Sequence, residues 1–315
     1  MKPILCSGEI LIDFISNEKG KNLKNTELFS KKAGGSPLNV AVTISRLGLN
    51  VSFLGSLGKD QFSDYLYEIL KKENINTDNI IIQQNCKTSI AYVARDKFGN
   101  PDFLFFRDNP ADVNVKYEEY NINPEDYSLL HIGSISLIYE PARSSYMKFM
   151  EYFLEKNIPV SYDPNVRPSI IHNKEKFIQD FLYISSKVDI VKMSDKDLEY
   201  IFSNTNIEKI IEKIPLKKGA MLLITLGEKG CIAKYNDIEM IIPGYNVSPV
   251  DATGCGDAFT GAIIYNYIKG ERDIFKLGKF ANAVAAKVIT KLGGVDSIPY
   301  YDEVVEFIRD KNSYL

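Results

Sequence analysis

Two glycines lie between aspartates in the segment Asp251-Ala-Thr-Gly-Cys-Gly-Asp257, which precedes a predicted helix. Gly254 and Gly256 allow the backbone to approach an anion closely. The unpaired amides at the start of the helix would form a positive pocket for a phosphate group. Asp257 lies at the edge of this pocket, where a carboxylate can accept the proton of an attacking hydroxyl group. The segment therefore predicts phosphoryl transfer, which depends mainly on positioning and charge stabilisation.

The same segment has a structural interpretation that is as well supported by these residues alone. Aspartate is a favoured N-cap residue, and glycine-rich turns commonly join strands to helices. Two other phosphate-binding motifs are absent from the sequence. There is no Walker A motif, which excludes an ordinary P-loop ATPase, and no strand is followed by Gly-x-Gly-x-x-Gly, so a dinucleotide site is poorly supported.

A second glycine-containing turn and an isolated carboxylate add to the candidate site. The turn, Thr225-Leu-Gly-Glu-Lys-Gly230, follows a predicted strand, and ligands of open parallel sheets bind beyond the carboxyl ends of the strands. Asp13 interrupts the apolar strand Ile10–Phe14. Because a buried carboxylate without a partner is costly, Asp13 must be paired or face a ligand.

Alternating strands and helices are predicted to position these residues. Helices are expected at 38–47, 60–72, 141–155, 175–184, 195–202, 258–268 and 275–289, with short apolar strands between most of them. This pattern predicts a three-layer αβα, Rossmann-like domain with a mostly parallel sheet. No repeat or interdomain linker is evident, so residues 1–315 are expected to form one domain.

Two β-rich excursions interrupt the alternation, at about 9–33 and 86–112. We expect them to form a small inserted β-sheet lid over one edge of the domain. The stretch from Ile80 to Phe106, which overlaps the second excursion, is predicted to be antiparallel strands that are separate from the main alternation. The turn between them is predicted at Phe98-Gly-Asn-Pro-Asp102.

The composition excludes several other classes of protein. The 315 residues include 38 Lys+Arg and 41 Asp+Glu, with no basic block, so a nucleic-acid or anionic-membrane surface is not expected. No apolar run is long enough to span a bilayer, and the N-terminus is a poor signal peptide, so we expect a cytoplasmic protein. The four cysteines form no CxxC pair and no cluster with the two histidines, which argues against zinc or disulfides.

These motifs resemble those of the ribokinase-like (PfkB) carbohydrate kinases over essentially the whole chain. The C-terminal signature is Asp251-Ala-Thr-Gly-Cys-Gly-Asp-Ala-Phe-Thr-Gly261. The N-terminal signature is Gly34-Gly-Ser-Pro-Leu-Asn-Val-Ala41, followed by Leu47-Gly48 and Gly55-Ser-Leu-Gly-Lys-Asp60. Two such signatures, correctly spaced in a chain of alternating strands and helices, are far more specific than either one alone.

The resemblance implies a role for each matching residue. Asp257 would be the catalytic base, and the anion hole would comprise Gly254, Cys255 and Gly256, although alanine is usual at the second position. The sugar-contacting positions would be Asp13, Gly34, Gly35 and Asn39. The positions around ATP would be Ser194, Thr225, Gly227, Gly230 and Asn282. A loop for a monovalent cation would comprise Asp251, Thr253, Gly293 and Ser297.

Within the family, the chain is most similar to fructokinases. Four segments are the basis for this similarity: Gly8-Glu-Ile-Leu-Ile-Asp-Phe14, Phe105-Phe-Arg-Asp-Asn-Pro-Ala-Asp112, Tyr162-Asp-Pro-Asn-Val-Arg167 and Lys192-Met-Ser-Asp195. One motif departs from the wider family, which has Asn-x-x-Glu acting on magnesium and phosphate through water. Here Ser194 and Asp197 stand at those positions, and aspartate is one methylene shorter than glutamate.

The resemblance implies ATP-dependent phosphorylation of a primary hydroxyl of a sugar, D-fructose first, with Mg²⁺ and K⁺ as cofactors. Arg107 and Arg167 each lie next to turn residues and are expected to face the sugar or the transferring phosphate. Those arginines leave 2-keto-3-deoxygluconate open as an alternative substrate, because its carboxylate would need cations. A sugar- or nucleotide-binding sensor without catalysis also remains possible, since fold alone does not define function.

A small sheet with an exposed edge also suggests a partner. The aromatic cluster Phe103–Phe106 belongs to the predicted lid and could pack across two copies of the chain. We therefore expect a homodimer that associates through the lid.

Overall fold

The computed structural model describes residues 1–98 and 100–312. The strands in chain order are β1 (Ile4–Ser7), β2 (Leu11–Ser16), β3 (Phe29–Gly34), β4 (Val51–Gly58), β5 (Ile75–Gln83), β6 (Ile90–Arg95), β7 (Pro101–Phe106), β8 (Leu129–Gly133), β9 (Val160–Asp163), β10 (Ile190–Ser194), β11 (Met221–Thr225), β12 (Cys231–Tyr235) and β13 (Ile238–Ile242). The α-helices are α1 (Ser36–Arg46), α2 (Gln61–Lys72), α3 (Ala142–Glu155), α4 (Lys174–Ser185), α5 (Asp195–Phe202), α6 (Ile207–Ile211), α7 (Cys255–Ile268), α8 (Ile274–Ile289) and α9 (Tyr301–Asn312).

A large sheet with the strand order β13-β12-β11-β10-β9-β8-β1-β4-β5 forms the centre of the domain. Its neighbouring strands pair in parallel except where β12 meets β11 and β13. The chain extends the sheet first from β1 to β4 and β5, and then in the opposite direction from β8. Because the order reverses at this point, the carboxyl ends of β1 and β8 flank a crevice. The prediction of a mostly parallel three-layer fold is confirmed.

Alternation of side chains along the strands creates two apolar layers. On β11, Met221 and Leu223 face one layer, whereas Leu222 and Ile224 face the other. The first layer is covered mainly by α1, α7 and α8, and the second mainly by α3, α4 and α5. The layers hold the N-termini of α1 and α7 against the crevice. In the described ranges, no helix is both long and apolar enough to cross a membrane.

The second sheet has the strand order β3-β2-β6-β7. Strands β2 and β6 pair in parallel, and the two outer pairs are antiparallel. Along β7, Phe103 and Phe105 are half-buried, whereas Leu104 and Phe106 are exposed. We call the side with Leu104 and Phe106 the outer face of the small sheet, and the opposite side its inner face.

The structure corrects one boundary of the predicted β-rich stretch. Residues Ile80–Gln83 belong to β5 of the large sheet, where they pair in parallel with Gly55–Gly58 of β4. A short run of isoleucines indicates a strand but not which sheet it joins. Here β4 extends far enough to pair with β5 as far as Gln83, with one shift in register after Asn76. Gly99 of the predicted turn lies outside the described residues.

Candidate active site

A cleft lies between the carboxyl ends of β1 and β8, the inner face of the small sheet, and the N-termini of α1 and α7. Its polar lining includes Glu9, Asp13, Asn39, Arg167 and Asp257. Phe103 and Phe105 line it from the small sheet. The cleft is therefore apolar on one wall and rich in carboxyl groups on the other.

Asp257 lies in the first turn of α7 and is held by the first turn of α1. Its Oδ1 accepts a hydrogen bond from Ser36 Oγ at 2.7 Å, and its Oδ2 accepts one from Asn39 Nδ2 at 2.8 Å. The helix begins at Cys255, earlier than the predicted Ala258, because Gly254 adopts a left-handed conformation with φ of 82° and acts as the N-cap. Asp257 and the N-cap Gly254 thus line the same cleft, while the amide of Cys255 donates to the carbonyl oxygen of Ala252 at 3.2 Å.

Asp13 projects from β2 into space that Gly34 of β3 leaves open. A Cβ atom at Gly34 would lie 2.1 Å from Asp13 Oδ2, so any larger residue there would displace the carboxylate. Asp13 is 4% exposed, and no donor in the described part of the chain forms a hydrogen bond with its carboxylate. Burial raises the pKa of Asp13 to about 7, although the positive charge of Arg167 opposes the rise. The carboxylate is thus placed to bind a ligand.

Glu9, which follows β1, is a cleft residue that the sequence analysis did not select. Its Oε1 accepts a hydrogen bond from the backbone amide of Ser36 at 3.2 Å, and its Oε2 accepts a short hydrogen bond from Ser136 Oγ. Burial raises the pKa of Glu9 to about 7, while the hydrogen bonds from Ser136 and Ser134 partly oppose this. The sequence signal that could have identified Glu9 as a site residue is its position beside Gly8, at the carboxyl end of the first strand.

Of the two predicted arginines, only Arg167 lines the cleft. Its guanidinium lies over the Phe103 ring, 4.9 Å from the centroid, and Nη1 donates to the carbonyl oxygen of Val166 at 3.1 Å. Arg107 is instead paired with Asp112, with 2.7 Å between Nη2 and Oδ2. Its Nε and Nη1 are buried and have no partner among the described residues. Arg167 is therefore the arginine that faces the cleft, whereas the charge of Arg107 is neutralised by Asp112.

The four residues predicted to surround a monovalent cation lie in two adjoining segments. Asp251 accepts hydrogen bonds from the amides of Thr253 and Gly293, both at 2.9 Å. Ser297 Oγ donates to the carbonyl oxygen of Gly294 at 2.8 Å. Thr253 Oγ1 is buried and has no partner in the described part of the chain. An unpaired hydroxyl oxygen beside a buried carboxylate fits a hard cation.

Comparison with known proteins identifies the family. The sequence model of the pfkB family carbohydrate kinases matches residues 1–300. Fructokinase-1 of Zea mays is 34% identical to this chain over 314 residues, which cover 97% of each protein. The chain belongs to the pfkB family of carbohydrate kinases. The predicted family is confirmed.

Two solved kinase structures share the fold of this carbohydrate kinase and are also similar to it in sequence. An uncharacterized sugar kinase from Pyrococcus horikoshii is 35% identical, with a TM-score of 0.84 and 96% of each chain covered. A fructokinase from Vibrio cholerae O395, with fructose, ADP and calcium ion bound, is 26% identical, with a TM-score of 0.84. That alignment covers 98% of this chain and 99% of the other.

Four of the five predicted ATP-contacting residues of this kinase lie at or just after the carboxyl ends of β10 and β11, and the fifth lies on α8. Ser194 and Thr225 end β10 and β11 and are paired across them. Gly227 and Gly230 have φ values of 60° and 97° in the turn that follows β11. Asn282 of α8 donates hydrogen bonds to the carbonyl oxygens of Ile242 and Pro243, both at 3.2 Å. These bonds fix the segment that follows β13 against α8. Asn282 thus also has a structural role that its sequence position did not reveal.

Asp197 of the kinase is largely occupied by hydrogen bonds. Its Oδ1 accepts from the amide of Val166 at 2.9 Å, and its Oδ2 accepts from the amide and hydroxyl of Ser194 at 2.7 and 2.8 Å. Together Ser194 and Asp197 form a capping box at the start of α5. The carboxylate is 6% exposed, and it ties the N-terminus of α5 to the segment between Asp163 and Arg167.

Proposed function

We propose that this kinase transfers the γ-phosphoryl group of ATP to the primary hydroxyl of D-fructose and forms fructose 6-phosphate. The observation that carries the proposal is the position of Asp257, whose carboxylate is held by Ser36 and Asn39 at the N-terminus of α7 and faces the cleft. The base and the helix amides that would receive the phosphate therefore lie in one turn.

The other polar groups of the cleft suit a neutral, hydroxyl-rich substrate. Asp13 lacks a hydrogen-bond donor within the described chain, and Asn39 Oδ1 is buried without a partner. Sugar hydroxyls would supply these missing donors, and the rings of Phe103 and Phe105 would cover the apolar face of the sugar. Relatives named fructokinases, and the Vibrio cholerae structure with bound fructose, support fructose as that sugar.

Phosphoryl transfer in this arrangement would use positioning and fixed charge. Asp257 would accept the proton of the sugar hydroxyl as its oxygen attacks the γ-phosphate. The amides of Gly254, Cys255 and Gly256 would hold the negative charge of the transferred group. ATP would lie on the far side of this turn, near Ser194, Thr225, Gly227, Gly230 and Asn282. The small sheet would act as a lid that excludes water and limits ATP hydrolysis.

Charge in the cleft disfavours the alternative substrate, 2-keto-3-deoxygluconate. Its carboxylate would meet the acidic groups of Glu9, Asp13 and Asp257. Arg107 is already neutralised by Asp112, which leaves Arg167 as the cation that lines the cleft. A sensor without catalysis is disfavoured because binding alone does not require a carboxylate at position 257.

Two metal ions would assist the reaction. Mg²⁺ would be bound chiefly by the phosphates of ATP, where it neutralises charge, and Asp197 would influence it only indirectly through the Ser194 turn. K⁺ would occupy the loop of Asp251, Thr253, Gly293 and Ser297, whose unpaired Thr253 hydroxyl fits a cation. Fructokinase structures from Vibrio cholerae with calcium or potassium ions support metal binding in this family.

A coupled assay of ADP release tests the proposed activity. Fructose, 2-keto-3-deoxygluconate, ribose, glucose and adenosine are compared with Mg²⁺ present or absent, and with K⁺ replaced by Na⁺. We expect fructose to have the highest kcat/KM, by about 10-fold or more, no turnover without Mg²⁺, and slower turnover in Na⁺. A higher kcat/KM for another sugar would reject fructose, and sugar binding without ADP release would support the sensor. Equal rates in K⁺ and Na⁺ would reject the K⁺ requirement.

We also propose that the kinase is a cytoplasmic homodimer that associates through the outer face of the small sheet. Leu104 and Phe106 on this face are 49% and 56% exposed, and Tyr92 contacts the Phe106 ring. Such a row of apolar side chains on a sheet favours a second copy. Sedimentation velocity is expected to show a dimer for the wild type and a monomer for a Leu104→Lys, Phe106→Lys variant. A monomeric wild type at micromolar concentration would contradict the proposal.

A further inference from the structure

A buried cluster of charged and polar groups lies directly behind the N-terminus of α7. Lys192 of β10 is 3% exposed, and its Nζ is 2.9 Å from Asp163 Oδ2 at the end of β9. Thr260 Oγ1, one turn into α7, lies 3.0 Å from both Asp163 Oδ2 and the carbonyl oxygen of Gly256. The cluster thus joins two strands of the large sheet to the helix that carries Asp257.

The ammonium of Lys192 lies beside the turn, next to Gly256. A Cβ atom at Gly256 would lie only 2.9 Å from Lys192 Nζ, so the glycine leaves room for the charge. Asp163 instead contacts α7 one turn further along, where it accepts a hydrogen bond from Thr260. Of the Lys192–Asp163 ion pair, the lysine is therefore the member that faces the glycine turn.

Lys192 remains charged in this buried position. Burial opposes the ammonium form, but the carboxylates of Asp163 and Asp197 outweigh it, and the pKa of Lys192 is raised. Asp257 contributes in the same direction. Burial and the Lys192 charge lower the pKa of His131 to about 3, so this neighbour stays neutral. The pKa of the Cys255 thiol is raised by burial, so the thiol stays protonated.

We propose that Lys192 is a positioning residue for phosphoryl transfer, and the proposal rests on the function proposed above. Its fixed charge behind Gly256 adds to the positive potential of the turn amides and keeps the turn in place. Negative charge on the transferred group is stabilised most by groups that are already oriented and shielded from water. Lys192 touches neither sugar nor ATP in this account, so its loss lowers kcat more than it alters binding.

A double variant separates this role from simple structural support. Replacing only one member of a buried ion pair leaves an unpaired charge and destabilises the fold, whereas replacing both is often tolerated. In a Lys192→Met, Asp163→Asn variant we expect a melting temperature close to that of the wild type. We expect kcat with fructose to fall about 10- to 100-fold, with the KM for fructose and the Kd for ATP changed less than about threefold.

The matched control is Lys217→Met, which breaks the Lys217–Asp189 pair just before the opposite end of β10. Its kcat is expected to equal that of the wild type. If the double variant fails to fold, Lys192→Gln with Asp163→Asn retains a hydrogen-bonded amide pair and gives the same comparison. Wild-type kcat in a folded double variant overturns the proposal and leaves the kinase function intact. Absence of sugar-dependent ADP release in the wild type instead refutes the proposed function itself.

Discussion

Replacing Asp257 with asparagine is expected to lower kcat by roughly 10² to 10⁴-fold, the usual contribution of a general base. Asparagine has nearly the same shape and keeps an oxygen that can accept the Ser36 hydrogen bond. It cannot accept the proton of the sugar hydroxyl. Since Asp257 does not contact the adenine or ribose in this proposal, the affinity for ATP should change little.

The measurement is the coupled assay with fructose, together with a separate titration of ATP binding. Asp64→Asn is a suitable control, because Asp64 is also an acidic residue in the first turn of a helix but is exposed on α2. Thermal melts of both variants verify that the fold is intact. Near-normal turnover in a folded Asp257→Asn variant would refute the assignment of the base.

Asp13→Asn is expected to impair sugar use and to stabilise the unliganded protein. An amide cannot replace a carboxylate that accepts hydrogen bonds from two sugar hydroxyls, so kcat/KM for fructose should fall on the order of 10²-fold. The affinity for ATP should be unaffected, because Asp13 lies on the sugar side of Asp257. Loss of function with a gain in stability is the signature of a group kept for binding.

The gain in stability should depend on pH. Because burial raises the pKa of Asp13 from 3.8 to about 7, the folded state holds a proton that the unfolded state loses as pH rises above 4. The stability contributed by the protonated carboxyl is therefore complete below about pH 4 and is lost as pH rises through 7. Asparagine does not ionise, so the variant should be more stable than the wild type at pH 8, by up to about 4 kcal/mol for a rise in pKa of about three.

Urea unfolding without sugar at pH 5 and pH 8 measures this difference. The advantage of Asp13→Asn should be smaller at pH 5, where the wild-type carboxyl is mostly protonated when folded. Asp102→Asn is the control, since Asp102 is an exposed carboxylate of the same small sheet and should show no such dependence. Equal stability of the Asp13 variant and the wild type at both pH values would contradict the raised pKa.

Local patterns in the sequence were sufficient to predict most of the elements. The helix of 195–202 was predicted to the residue, because apolar periodicity and capping residues are short-range signals. The ends of helices were less predictable. The start of α7 depended on the left-handed backbone of Gly254. Helix α9, whose residues are mostly polar, was not predicted at all.

The sequence by itself determined the fold class, the family and the prediction of Asp257 as the base, because these depend on motifs within a few residues. Only the tertiary structure decided which side chains meet. Ser36 and Asp257 are separated by 221 residues, and Lys192 reaches Gly256 from another strand. Spacing also could not show that Arg107 is neutralised by Asp112 while Arg167 enters the cleft. Such contacts depend on long-range packing and on burial, which also sets the pKa of Glu9 and Asp13, and neither is encoded in local sequence.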